Sequence, residues 1–111
     1  MKLNTDISEN RALISVMEER LDAHNSDELK SEMNSLFEAG IKDIIINLKD
    51  VRFIDSSGLG VLVSGYKNSS ARQGSLKLSG LQTQVKSMFE LTRLYRVFDI
   101  YSTTDEALLS Y

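Results

Sequence analysis

The chain has no cysteine, which excludes disulfides and thiolate metal sites. It has no proline, so no turn or linker is stiffened by that ring. Basic charge is scarce: 13 Lys and Arg stand against 16 Asp and Glu, a net charge of −3. With both signs mixed along the chain, no basic face is at hand to displace counterions from phosphates, and a nucleic-acid partner is not expected. No stretch approaches the roughly 20 apolar residues of a membrane span. Met1 to Asp6 contains no apolar signal core. No repeat, low-complexity segment or linker is visible. A cytoplasmic protein is the plain reading.

What is present is ordinary for a globular domain. The 111 residues are 41% hydrophobic and 26% charged, and a chain of this size buries roughly two thirds of its unfolded surface. A single domain over residues 1–111 is expected.

Leu3 to Ile7 and Ala12 to Met17 read as strands, with Ser8 to Arg11 as a hairpin turn. Asn25 and Glu28 have capping-box spacing. Leu29, Met33, Leu36 and Phe37 follow at helical spacing, and Gly40 ends the element. Asp43 to Leu48 is a continuous apolar strand, as in sheets covered on both faces. Leu59 to Tyr66 is amphipathic, with Leu59, Leu62, Val63 and Tyr66 on one side. Leu76 to Leu78 is a short strand after Gly74. Val85, Met88, Phe89 and Thr92 suggest a third helix. Arg96 to Ile100 reads as a last strand, and Thr103 or Thr104 caps a final helix through Leu109. An α/β fold follows, with a mixed central sheet of about five strands and four helices.

Asp55-Ser56-Ser57-Gly58-Leu59-Gly60 stands where strand gives way to helix. Functional loops of such sheets lie at the carboxyl ends of strands. Unpaired N–H groups at a helix start favour negative charge. Ser56 and Ser57 can serve as simple caps there, and Asp55 can too. The functional reading is a phosphoacceptor: Gly58 and Gly60 remove side chains beside the serines and let a partner approach closely. Phosphorylation adds nearly two negative charges, switching a binding face without refolding it. A register that buries Leu62 and Tyr66 leaves Val61 and Leu59 nearer the surface, where an aliphatic suits docking.

Other chemistries are weaker. His24, Asp22 and Ser56 supply the residue types of a hydrolytic triad, but there is no Gly-x-Ser-x-Gly elbow. Gly60 to Lys67 nearly spells a phosphate-binding loop, yet lysine does not follow the second glycine and the segment reads as helix. Gly65 is better explained by close helix packing. The turn also lacks the full Gly-x-Gly-x-x-Gly dinucleotide fingerprint. One carboxylate does not make a metal site, and no cofactor is called for.

Phe53 to Leu62 resembles the signature of the STAS domain, the sulfate transporter and anti-sigma factor antagonist family. Leu21-Asp22-Ala23 with Asn25 to Lys30 resembles that family's earlier strand-to-helix motif. Ile44 to Leu48 is similar to its central strand, and Val85 to Phe89 with Leu94 to Phe98 to its third helix and last strand. The likeness spans essentially the whole chain. It is nearest to the small, free-standing antagonists of bacterial partner switching, which are not enzymes.

The resemblance implies a partner that is both anti-sigma factor and GHKL-type serine kinase, and a PP2C-type phosphatase that resets the antagonist. It implies phosphorylation at Ser56, with Asp22, Asp55, Ser57, Gly58, Leu59 and Gly60 at the partner-binding surface. Glu19 departs from the pattern, since many antagonists carry glycine there; it bears on the partner's identity more than on the fold. The alternative within the family is a scaffold or accessory domain in another signalling or transport complex.

Overall fold

A computed structural model describes residues 1–111. The chain opens with a hairpin, β1 (Leu3–Ser8) and β2 (Arg11–Val16). Glu9 and Asn10 form its two-residue turn with φ of 53° and 65°, the positive pair whose twist suits tight hairpins. Along β2, Ala12, Ile14 and Val16 are buried and alternate with half-buried residues. β3 (Arg20–Leu21), α1 (Ser26–Glu38), β4 (Asp43–Asn47), β5 (Phe53–Ile54), α2 (Ser56–Ala71), β6 (Ser75–Ser79), α3 (Thr83–Leu91), a helical turn (Leu94–Arg96), β7 (Asp99–Tyr101) and α4 (Thr104–Leu109) follow.

The main sheet has the order β1-β2-β4-β6-β7. Only the β1–β2 pair is antiparallel; the other three pairs are parallel. This is the mixed five-stranded sheet with four helices that the alternating pattern predicts. Its core face carries Ala12, Ile14, Val16, Ile44, Ile46, Leu76 and Leu78, which pack with Leu29, Met33, Phe37 and Leu62 of α1 and α2. A Cβ placed on Gly65 would lie 2.6 Å from Met33 Sδ. Gly65 thus lets α2 approach α1 closely, as its sequence context suggested. Phe98 joins the far side of this core, with edge-on rings to Tyr66 at 5.5 Å and Phe89 at 5.7 Å.

The opposite face is mixed: Leu13 and the buried Ile45 lie among polar residues such as Asp43, Asn47, Ser75 and Ser79. Lys77 is buried there, donates to Ser110 Oγ at 2.6 Å and faces the Tyr111 ring at 3.7 Å. α4 covers it, capped by Thr103, whose hydroxyl accepts from Glu106 N at 3.1 Å.

The structure departs from the sequence reading at four points. Arg96 to Ile100 is not one strand. Arg93 adopts a left-handed conformation (φ 61°) after α3, the chain coils once more over Leu94–Arg96, and pairing with β6 begins only at Asp99. α2 runs Ser56–Ala71, longer than Leu59 to Tyr66 at both ends; Asp55 caps it, so the helix starts three residues before Leu59. Asn25 occupies the cap position of α1, but its side chain makes no capping bond. Finally, β3 and β5 form a separate two-stranded parallel ribbon, too short to leave any period in the sequence.

Candidate functional site

The ribbon of β3 and β5 sets two loops side by side. Arg20 lies opposite Phe53 and Leu21 opposite Ile54. Leu21 and Ile54 point inward and are buried; Phe53 is 43% exposed. Each strand then leads into a helix, β3 into α1 and β5 into α2, so the two helix entries adjoin.

Asp55 joins them. Its backbone is extended, and its Oδ1 accepts from Gly58 N at 3.0 Å, which caps α2. Its Oδ2 accepts from Ala23 N at 3.2 Å in the other loop. Its own N–H donates to Leu21 O at 3.3 Å, and its carbonyl accepts the first helical bond from Leu59 N at 3.0 Å. One residue therefore starts the helix and ties the two loops together. The helix start needs neither serine hydroxyl. Ser56, the first helical residue, is exposed, and Ser57 is half-buried.

Gly58 is buried against the ribbon: a Cβ there would meet Leu21 O at 2.5 Å and Ile54 Cγ1 at 2.8 Å. Gly60 has no atom within 4 Å of such a Cβ and is exposed. The two glycines thus divide the roles expected of both, one admitting the protein's own backbone and the other leaving open surface. Leu59 and Val61, expected nearer the surface, are 6% and 7% exposed. The reason is that α2 packs against both α1 and the sheet, so its buried arc runs from Gly58 through Leu59, Val61 and Leu62 to Gly65 and Ser69.

The second loop is built around Asp22, 8% exposed. Its Oδ1 accepts from His24 N at 3.0 Å and its Oδ2 from Arg20 Nε at 3.3 Å. The His24 main-chain N–H, with the Arg20 guanidinium, holds the Asp22 carboxyl below its ordinary range. Asn25 clamps the loop from beneath: its Nδ2 donates to Arg20 O at 2.7 Å and its Oδ1 accepts from Asp22 N at 2.9 Å. That engagement is why it does not cap α1. Asp22 bonds the backbone of His24 rather than its ring, so no carboxylate orients that imidazole for general-base work. Gly60 to Lys67 is helical throughout, which removes the phosphate-loop reading.

The surface beside the turn is acidic and concave. A cleft of about 470 Å³ is lined by Glu18, Glu19, Arg20, Asp22, His24 and Asn25. Glu19 does structural work through its backbone: its carbonyl accepts from Arg52 N at 2.8 Å and Phe53 N at 3.0 Å. Its side chain is exposed, so a carboxylate stands where glycine would leave bare chain, and the ribbon is unaffected. Two further residues were missed in the sequence. The Arg20 guanidinium lies over the Phe53 ring at 4.2 Å, a solvent-exposed pair next to the turn. Only the parallel register of β3 and β5 brings them together.

A family profile described as the STAS domain matches residues 3–107. The chain is similar to an anti-sigma-B factor antagonist from Bacillus subtilis, 34% identical over 106 residues that cover 95% of this chain and 96% of that one. It is 27% identical over 110 residues to an anti-sigma F factor antagonist from Paenibacillus polymyxa, covering 97% and 94%. A solved structure of a Thermotoga maritima protein superposes with a TM-score of 0.87 at 28% identity, covering 97% of this chain and 92% of that one. Fold, element order and near-complete matches agree: the chain belongs to the STAS domain family.

Proposed function

We propose that this protein is an anti-sigma factor antagonist whose unphosphorylated β5–α2 turn docks on an anti-sigma factor that is also a GHKL-type serine kinase. The kinase transfers the ATP terminal phosphoryl group to Ser56 Oγ, and a PP2C-type phosphatase removes it by hydrolysis. The antagonist is a cytoplasmic binding module, not an enzyme. The observation that carries this reading is that Asp55 alone caps α2, which leaves the exposed Ser56 hydroxyl outside the protein's own hydrogen bonding. The relatives' names add the class of partner.

In this reading the docking surface comprises Ser56, Ser57 and Gly60, with Asp55 and Asp22 behind them; the buried Gly58 and Leu59 shape it from below. Gly60 lets a partner's backbone approach. A phosphoserine at the first position of a sixteen-residue helix is tolerated by the helix dipole, so the fold persists. It also sets a dianion beside Asp55. In a docked complex with no cation to meet it, that charge costs about 2–5 kcal/mol, or roughly thirty-fold to several thousand-fold in affinity.

The test is incubation with the cognate kinase and ATP, followed by phosphopeptide mapping. A single phosphate on Ser56, absent in Ser56→Ala, supports the proposal. Modification elsewhere with Ser56 untouched rejects it.

A further inference from the structure

β7 is an edge strand of the main sheet. It pairs with β6 in parallel, Lys77 with Asp99, Leu78 with Ile100 and Ser79 with Tyr101, and Tyr101 O accepts from Gly80 N at 3.1 Å. In a parallel ladder alternate residues bond the neighbouring strand. Asp99 and Tyr101 therefore bond β6, and the N–H and C=O of Ile100 turn to the free edge. No backbone bond from outside the sheet reaches them. The Ile100 side chain lies on the core face, where a trough runs between this edge and α3. Its larger part, about 540 Å³, is lined by Lys86, Phe89, Glu90, Tyr95 and Ile100. A second hollow of about 200 Å³ shares Lys86 and Ile100 and continues the trough to Ser102.

The floor of the trough is apolar and its rim is basic. Lys86, Arg93 and Arg96 are exposed and stand against one carboxylate, Glu90. Arg93 opens the helical turn that carries Tyr95, and the Arg96 guanidinium lies 5.9 Å from the Tyr95 ring centroid. Three cations and one carboxylate leave an excess of two positive charges, in a chain whose net charge is −3. None of the four takes part in an ion pair within the chain. Asp99 faces the other side of the sheet with Lys77. Past Ser102 the charges cancel, Lys49 against Asp105.

We propose that this trough binds an extended acidic segment of another protein, added as a strand along the free edge of β7. Two features select that occupant. The unpaired N–H and C=O of Ile100 suit a second backbone, which supplies both an acceptor and a donor. The unpaired cations on the rim suit carboxylates, while Phe89 and Ile100 seat an apolar side chain between them. A second copy of this chain would bring the same excess of positive charge and be repelled. Because β7 is only three residues long, the ladder is short and binding is weak, with a Kd of about 0.1–1 mM. No residue of the trough belongs to the Ser56 surface, and the proposal does not rest on that reading.

The test uses the full chain and a short peptide blocked at both ends, Glu-Glu-Leu-Glu-Val-Glu-Glu, labelled with fluorescein. Anisotropy is followed as protein rises to about 1 mM, the upper end of the expected Kd. The peptide should bind, and the same peptide with lysine for every glutamate should not. Lys86→Glu and Arg96→Glu should each weaken binding about ten-fold or more, by setting like charges face to face. Lys30→Glu makes the same change of charge on α1 and should leave the Kd within about two-fold. All three positions are exposed, and circular dichroism checks the fold of each variant. Exchange of the Ile100 amide proton, followed by nuclear magnetic resonance, should slow on adding unlabelled peptide, as a free N–H gains an acceptor. Phosphatidylserine vesicles should not carry the protein down on centrifugation. No binding of the acidic peptide, binding unchanged in Lys86→Glu and Arg96→Glu, or an Ile100 amide that exchanges as before overturns the proposal. So does vesicle binding that Lys86→Glu abolishes, which would give the trough to a membrane surface instead.

Discussion

A methyl group added at Gly58 would lie 2.5 Å from Leu21 O, 2.8 Å from Ile54 Cγ1 and 3.0 Å from Leu21 Cγ. The nearest atom is backbone in the β3–β5 ribbon, so it cannot swing aside. Relief requires α2 to move off the ribbon, which strains the Asp55 bonds to Gly58 N and Ala23 N. Overpacking of this kind costs about 1–3 kcal/mol. Weakening the cap adds about 1 kcal/mol, and the better helix propensity of alanine returns about 1 kcal/mol. The net expectation for Gly58→Ala is a loss of about 1–3 kcal/mol, with Tm falling roughly 5–20 °C at about 4–8 °C per kcal/mol.

Gly60→Ala is the internal control. It lies in the same helical turn but meets open space, so it should gain about 0.5–1 kcal/mol from propensity alone. Urea titrations followed by far-ultraviolet circular dichroism measure both. Equal shifts in the two variants, or a Gly58→Ala protein as stable as wild type, would refute the assignment of Gly58 to packing.

Asp55→Ala removes the cap and the tie to Ala23 together, and urea unfolding should show a loss of about 2–4 kcal/mol, a cap plus one charged hydrogen bond. Ser56→Ala, by contrast, should stay within about 0.5 kcal/mol of wild type in the same titration, as exposed substitutions away from caps do. The Asp22 carboxyl titrates below its ordinary value in the folded state, so it contributes stability above the unfolded pKa of about 3.9. That contribution is lost as pH falls through the folded value. Wild type should therefore destabilise more steeply than Asp22→Asn below about pH 4, and parallel acid-unfolding curves would contradict this.

The main sheet and the helices were legible because each carries a long enough pattern. β4 carries three successive isoleucines, Ile44 to Ile46, buried on both faces of the sheet, and α1 repeats Leu29, Met33, Leu36 and Phe37 at helical spacing. The turn at Asp55 was legible because a strand, a capping residue and a helix abut there. The β3–β5 ribbon was not: two residues hold no period, yet this ribbon positions both loops of the site. Asn25 fits a capping box by spacing, but Arg20 O and Asp22 N capture its side chain first. The burial of Leu59 and Val61 was hidden for a related reason. A helix packed on two neighbours buries a wider arc than a single amphipathic stripe suggests. The Arg20–Phe53 stack depends on a parallel register that no local pattern encodes.

The central claim is that the charge on Ser56 decides whether the turn can dock. Titration calorimetry of the cognate anti-sigma factor with the unmodified and the Ser56-phosphorylated protein measures it directly. Affinity is expected to fall by roughly thirty-fold or more on phosphorylation, the effect of an unmet charge in an interface. Two equal dissociation constants would contradict it.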